Sequence, residues 1–287
     1  MTSPEIVAII QARMSSSRLP GKVLLEIAGK PMLQRVIERT RRAATINRLV
    51  VATTEDAADN PIVEFCRANS VDYYRGSLHD VLDRYYQAAR CSGAQVIVRI
   101  TADCPLIDPA LVDLTVNAFL GRIPPQPHWL TNGLLPATSP TPDVNAARNE
   151  TSFPFDFVAN RLPPPWGRTY PIGLDTEVCS FQALEIAWRE AKEPHQREHV
   201  MPFFYDHQER FRILLVNYHE DYGALRWTVD TSEDLELVRQ IYAHFAGRDG
   251  FTWLEMLALF QRRPELAQIN ANVQHKDYRQ VDGRRSH

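Results

Sequence analysis

Short apolar runs alternate with amphipathic segments along the first 120 residues. "EIVAIIQA" is rich in Ile and Val and predicts a buried strand. After a polar loop, "PMLQRVIERTRRA" places apolar residues at helical spacing, with Pro31 at the first helical position. "RLVVATT" predicts a second buried strand, and "NPIVEFCRAN" a helix capped by Asn60 with Pro61 behind it. "VDYYRG" is a third strand and "LHDVLDRYYQAARCSG" an amphipathic helix ending near Gly93. "QVIVRITAD" is a fourth strand, and "DPALVDLTVNAFLG" a helix capped by Asp108. This rhythm predicts an α/β fold, a Rossmann-like, mostly parallel mixed sheet with helices on both faces. In such sheets ligands bind beyond the C-terminal ends of the strands. The loop after Ala12 and the stretch "TADCPLID" both lie at such ends.

The rhythm breaks in the middle. Residues 121–165 are rich in Pro, Asn, Thr and Ser, and read as an irregular insertion, a lid or a dimer arm in which Trp129 and Trp166 would take part. Order returns with "GLDTEVCSFQALEIAWREAK", a strand and then a helix capped by Ser180. "REHVMPFFYDHQERF" predicts one further helix, "FRILLVNY" and "LRWTVDT" strands, and "SEDLELVRQIYAHF" a helix capped by Ser232 or Thr231. "TWLEMLALFQRRPELAQ" is a last helix, ended or kinked by Pro264, before a polar tail. The division is a main domain over 1–250 and a C-terminal helix and tail over 251–287.

Composition narrows the partners. With 287 residues, 44% hydrophobic and a net charge of −3, the chain reads as an ordinary globular protein. The mildly acidic balance argues against general nucleic-acid binding, so any phosphate ligand needs a local cluster of cations. Cys66, Cys91, Cys104 and Cys179 show no CxxC spacing and read as reduced thiols. The N-terminus lacks a signal-peptide pattern and no apolar stretch is long enough to span a membrane, so the expected location is the cytoplasm.

The candidate chemistry begins in "QARMSSSRLPGK". This is neither a Walker A loop nor GxGxxG, yet a loop leaving a strand can turn backbone N–H groups toward one anion. Arg13, Arg18 and Lys22 add charge, the serines add hydroxyls, and Gly21 permits a tight turn. Asp103 ends an apolar strand, either as a Mg²⁺ ligand or as a turn cap before Pro105. Asp230 precedes a helix, where an acid complements the dipole; Glu233 and Asp234 are first-turn acids. Arg99 interrupts an apolar strand and either pairs with a carboxylate or reaches a ligand. Asp80 and Arg84 read as a surface i,i+4 pair. Asp175 and Glu177 alternate along a strand, share one face and suit an acceptor's hydroxyls or amine. Arg197, Glu198 and His199 open a helix, and His199, like His79, reads first as a hydrogen-bonded structural residue.

Five segments in one order, "AIIQARMSSSRLPGKVL", "RITADCPLIDP", "YPIGLDTEV", "REHV" and "LRWTVDTSEDLELV", resemble the cytidylyltransferase family of the spore-coat polysaccharide biosynthesis type. That family is related to the enzymes that make CMP-activated sialic acids and CMP-Kdo. The resemblance runs from about Ile6 to about Phe245 and implies a nucleotide-diphospho-sugar transferase-like fold. It implies that Arg13, Ser15, Arg18 and Lys22 bind the triphosphate of CTP, with Gln11, Ala12, Gly21, Asp80, Arg84, Arg99 and Thr101 also at the nucleotide. It makes Asp103 and Asp230 the carboxylates that hold Mg²⁺, and places Asp175, Glu177, Arg197 and His199 on the acceptor side.

The expected reaction is CTP + acceptor → CMP-acceptor + pyrophosphate, with Arg13, Lys22, Asp103 and Asp230 as the catalytic set. The acceptor is an acidic sugar or a related small molecule for surface glycan synthesis. No nucleic-acid or membrane partner is expected, and a homodimer is a possible assembly. Two other classes remain open. A GT-A-type glycosyltransferase shares the architecture, though "TADC" offers only one acid where a D-x-D motif is usual. A non-catalytic nucleotide sensor would bind CTP and release no pyrophosphate.

Overall fold

The chain, seen in a computed structural model, is described over residues 3–133, 153–164 and 166–274. Strand β1 (Ile6–Gln11) leads into the loop at 12–21, a hairpin of β2 (Glu26–Ile27) and β3 (Lys30–Pro31), and helix α1 (Met32–Thr40). The alternation continues as β4 (Arg48–Thr54) and α2 (Asn60–Ala68), β5 (Asp72–Gly76) and α3 (Val81–Ser92), and β6 (Val96–Thr101) and α4 (Pro109–Phe119). Then come β7 (Leu130–Thr131), β8 (Phe157–Ala159), the hairpin of β9 (Arg161–Leu162) and β10 (Gly167–Arg168), and β11 (Glu177–Ser180). The chain closes through α5 (Phe181–Glu190), α6 (Pro194–His199), α7 (Pro202–Asp206), β12 (Ile213–Leu215), α8 (Ser232–His244) and α9 (Trp253–Arg262).

The main sheet has the order β5-β4-β1-β6-β11-β8-β12-β7. β5, β4, β1 and β6 run parallel, joined by crossover helices as parallel neighbours must be, and β11 turns the sheet antiparallel beside β6. The expected mostly parallel mixed α/β sheet is therefore present. The chain leaves β1 in one direction for β4 and β5, then returns to β1's other side with β6. In sheets of this kind such a switch point is where the loops diverge and leave a ligand crevice. Ala102 N donates to Gln11 O at 3.0 Å, which locks the two strand ends together there.

Period-two alternation in β1 sorts its side chains onto two cores. Ala8 and Ile10 pack with Leu33 and Val36 of α1 and Val112 and Val116 of α4. Val7 and Ile9 pack with Val81, Leu82 and Tyr85 of α3 and Leu184 of α5. A third core joins α8 to α9 through Leu237, Ile241, Trp253 and Met256, around the fully buried Trp227. Trp129 is buried, with Nε1 donating to Asn217 O at 3.1 Å, and Trp166 packs against the second core. Much of the predicted insertion, residues 134–152, and the tail at 275–287 lie outside the described residues.

Several predicted boundaries change. Pro31 is the residue before α1 rather than its first turn, because it pairs in the β2–β3 hairpin. Asp59, not Asn60, stands at the N-cap of α2, at the end of a short 3₁₀ turn. The single helix expected over "REHVMPFFYDHQERF" is broken at Val200, whose φ of 73° no helix accommodates; Arg197 to His199 close α6 rather than open it. "LRWTVDT" is not a sheet strand: it is tied by one bridge, Ile172 to Arg226, and by Val229 N donating to Asp103 O at 2.8 Å. Thr231 is the cap of α8, in a capping box with Asp234. Ser180, Asp108 and Gly93 cap their helices as expected. Among the described residues no helix is long and apolar enough to cross a membrane.

Candidate active site

The loop after β1 folds on itself. Ser16 N and Gly21 N both donate to Met14 O, at 3.0 and 2.9 Å, and Met14 N donates to Asp59 Oδ1 at 2.7 Å. Gly21 has φ 70°, a left-handed conformation that side-chain-bearing residues rarely adopt, and its turn delivers Lys22 into the crevice. Lys22 is buried, and its ammonium donates to Asp103 Oδ2 at 2.9 Å, Asp230 Oδ1 at 2.8 Å and Val229 O at 2.8 Å. All three ammonium donors are thus used. Burial opposes the charge on Lys22, but Asp103 and Asp230 outweigh it and hold its pKa above the ordinary value.

Asp103 follows β6, where Thr101 Oγ1 donates to its Oδ1 at 2.6 Å. Asp230 gathers three cations: Lys22, Arg18 at 2.8 Å and Arg226 at 2.7 Å. Burial pushes the Asp230 carboxyl up, yet Lys22, Arg18 and Arg226 together hold it well below the usual carboxylate range. Arg226 is itself fixed by the fully buried Asp234, Nε to Oδ1 at 2.9 Å, and Asn270 Nδ2 donates to Asp234 Oδ1 at 2.8 Å. Asp234 is therefore more than a first-turn acid. Cys104 lies beside Asp103, but burial pushes its thiol well up and leaves it a poor nucleophile.

The family's loop pattern R-x-x-S-x-R-x-P-G-K, laid on Arg13, Arg18 and Lys22, puts its serine at Ser16 rather than Ser15, and Ser16 Oγ accepts from Leu19 N at 3.4 Å. Asp80 and Arg84 are not a surface i,i+4 pair. Arg84 is fully buried and donates to Ser77 O at 2.8 Å, while Asp80 caps α3 and binds Arg197, whose Nε donates to Asp80 Oδ2 at 3.1 Å. Arg197 thus joins the α3 end of the crevice instead of Asp175 and Glu177. Those two acids do not offer themselves to a ligand side by side: Glu177 is buried in β11 against Arg99, and Asp175 precedes the strand in a bidentate pair with Arg168, at 2.8 and 3.3 Å. Arg161 approaches Asp175 at 3.6 Å. His199 ends α6, and its carbonyl accepts from Met201 N at 2.9 Å.

The structure brings Arg18, Lys22, Thr101, Asp103 and Asp230 into one cluster, with Gln11 and Ala12 at the strand end beneath it. Arg226, Arg161 and Arg168 were not anticipated, and Asp234 only as a first-turn acid. The i,i+4 spacing of Arg226 and Asp230 was the available signal for the first.

The family model for cytidylyltransferases matches residues 7–138, the part that carries β1, its loop and Asp103. A 3-deoxy-manno-octulosonate cytidylyltransferase from Solibacter usitatus is 31% identical over 256 residues, 83% of this chain and 94% of that one. The chain belongs to the cytidylyltransferase family. The spore coat polysaccharide biosynthesis protein SpsF of Bacillus subtilis is 27% identical over 270 residues, 92% of this chain and 97% of that one. A cytidylyltransferase structure from Leptospira borgpetersenii superposes with a TM-score of 0.77 at 28% identity, covering 95% of this chain and 100% of that chain.

Proposed function

We propose that this cytidylyltransferase couples CTP to an acidic sugar or a related anionic acceptor, giving the CMP-acceptor and pyrophosphate for surface glycan synthesis. The observation that carries the reading is Lys22 held between Asp103 and Asp230 at the switch point of the sheet. A triphosphate entering there meets Lys22, Arg18 and Arg13 along one loop, and Gly21 lets the backbone approach it closely. The ammonium and guanidinium groups stabilise the charge that builds on pyrophosphate as it leaves, and the rigid strand ends keep the α-phosphorus in line with the acceptor oxygen.

The donor set suits Mg²⁺. Among the described residues no group of three or more His, Cys, Asp or Glu converges as a metal cage. Mg²⁺ bound beside phosphates needs only one or two protein carboxylates, and Asp103 and Asp230 both reach the same ammonium. These two residues would hold the ion, and the chemistry it would supply is neutralisation of phosphate-oxygen charge. Arg226 keeps the Asp230 carboxylate oriented throughout, and Thr101 does the same for Asp103.

Acceptor charge is read from the antiparallel side of the crevice. Arg99, Arg161 and Arg168 face Asp175 and Glu177, three guanidinium groups against two carboxylates. This surplus of positive charge favours an anionic acceptor, in keeping with the octulosonate enzyme among the relatives. The test is a pyrophosphate-release screen of each nucleoside triphosphate against acidic and neutral sugars. Release with CTP and an acidic sugar supports the reading; release only with neutral sugars, or with none, removes it.

A further inference from the structure

Asn270 follows α9 and a 3₁₀ turn (Pro264–Gln268), well past Phe245 and in the segment that the sequence sets apart from the main domain. It is nevertheless buried against the back of the site. Its amide donates twice: Nδ2 reaches Asp234 Oδ1 at 2.8 Å and Arg226 O at 3.0 Å. These partners stand 36 and 44 residues earlier in the chain. Leu266, wholly buried in the third core, anchors the turn that delivers Asn270 there.

Asp234 in turn holds Asp230 in two ways. Its Oδ2 accepts from Asp230 N at 2.9 Å and from Thr231 N at 3.1 Å, which fixes the main chain. Its oxygens also take Arg226 Nε at 2.9 Å and Nη2 at 3.1 Å, and the same Nη2 reaches Asp230 Oδ2 at 2.7 Å. Arg18, the other guanidinium on that oxygen, meets Gln274 O at 3.5 Å. Both arginines on Asp230 Oδ2 therefore touch residues 270–274. Oδ1 stays with Lys22, on the side of Asp103.

Close packing alone does not hold this arrangement. Arg226 and Asn270 border a cavity of about 230 Å³ together with Ile172, Leu225, Phe260 and Val273. Beside open space a polar side chain keeps its place through directed bonds. An amide supplies two donors from one nitrogen, where a hydroxyl supplies one.

We infer that Asn270 is a positioning residue for the reaction. It locks Arg226 onto Asp234, and the locked guanidinium keeps the Asp230 carboxylate turned toward Asp103. Hydrogen-bonded groups behind a metal-holding carboxylate set its orientation, and their loss costs metal affinity. The inference rests on the reading of Asp103 and Asp230 as the Mg²⁺ carboxylates, and it makes the segment after α9 part of the site.

Two titrations test it on wild type, Asn270→Leu and Asn270→Ser. Mn²⁺ is followed by electron paramagnetic resonance with protein in excess over CTP, and CTP without metal is followed by calorimetry. Leu is close to Asn in size and removes both donors; Ser keeps one. Thermal melts identify the folded variants. Asn270→Leu should weaken Mn²⁺ binding about tenfold and Asn270→Ser about threefold, while metal-free CTP binding stays within about twofold. Asn270→Ser decides the matter should Asn270→Leu fail to fold. Unchanged Mn²⁺ affinity in a folded variant overturns the proposal, as does an equal fall in Mn²⁺ and CTP binding, which would make Asn270 structural only. Wild-type Mn²⁺ binding that survives Asp230→Asn contradicts instead the metal reading on which the proposal rests.

Discussion

Lys22 and Asp103 stand 81 positions apart in the chain and meet at 2.9 Å. One comes from the turn made by Gly21 after β1, the other from the end of β6, and the sheet's switch point places them together. A basic loop and a strand-end acid thereby become one cluster, closed from the far side by Asp230.

Lys22→Ala should raise the KM for CTP by roughly tenfold or more, because the triphosphate loses a nearby positive charge and Asp103 and Asp230 lose the cation that holds them together. Acceptor KM should change little. Initial-rate kinetics with each substrate varied in turn separates the two; an unaltered CTP titration would take Lys22 out of the site.

Arg226 lies in "LRWTVDT", which reads as an apolar strand, while its partners Asp230 and Asp234 stand four and eight residues further on. Arg226→Ala leaves the wholly buried Asp234 without its cation, and breaking such a pair costs about 3–5 kcal/mol. Urea unfolding measures that loss. Turnover should fall as well, since Asp230 loses a constraint, and Arg226→Lys should restore stability better than activity. Equal recovery of both would argue that Arg226 is structural only.

Acid stability carries the signature of Asp230. Burial opposes its charge, but Lys22, Arg18 and Arg226 depress the folded pKa below the unfolded value of 3.8. Its contribution is therefore complete above pH about 4 and fades as pH falls through the lower folded value. The unfolding free energy of Asp230→Asn, followed from pH 5 to pH 2, should be flatter than that of wild type. Parallel curves would show that the cations do not hold the carboxylate.

Glu177→Gln leaves the buried Arg99 guanidinium without its ion-pair partner. The expected loss is about 3–5 kcal/mol, read by denaturant unfolding. A variant as stable as wild type would show that the pair is solvated.

What the sequence made legible was local. Asp108, Ser180 and Gly93 announce helix ends because the capping bond closes within a few residues. Apolar runs located β1, β4, β5 and β6, and their alternation with helices implied the crevice where Lys22 and Asp103 meet. Long-range choice of partner was not legible. Asp80 and Arg84 have the spacing of a helical pair, yet Arg197, 117 residues from Asp80, takes the carboxylate. Asp175 and Glu177 looked available for a ligand because nothing local shows that Arg168 and Arg99 neutralise them. The break at Val200 was equally silent, since a β-branched residue at φ 73° violates the preference that sequence reading relies on.

In the proposed reaction Asp103, brought against Lys22 and Asp230, serves transfer of CMP from CTP to an acidic sugar. Phosphorus NMR of the protein with CTP, Mg²⁺ and 3-deoxy-manno-octulosonate follows it directly. Wild type should convert the three CTP resonances into one phosphodiester signal and one pyrophosphate signal of about twice its intensity, and folded Asp103→Asn should leave CTP intact. Pyrophosphate without a matching phosphodiester, or product formed at the wild-type rate by Asp103→Asn, would contradict the account.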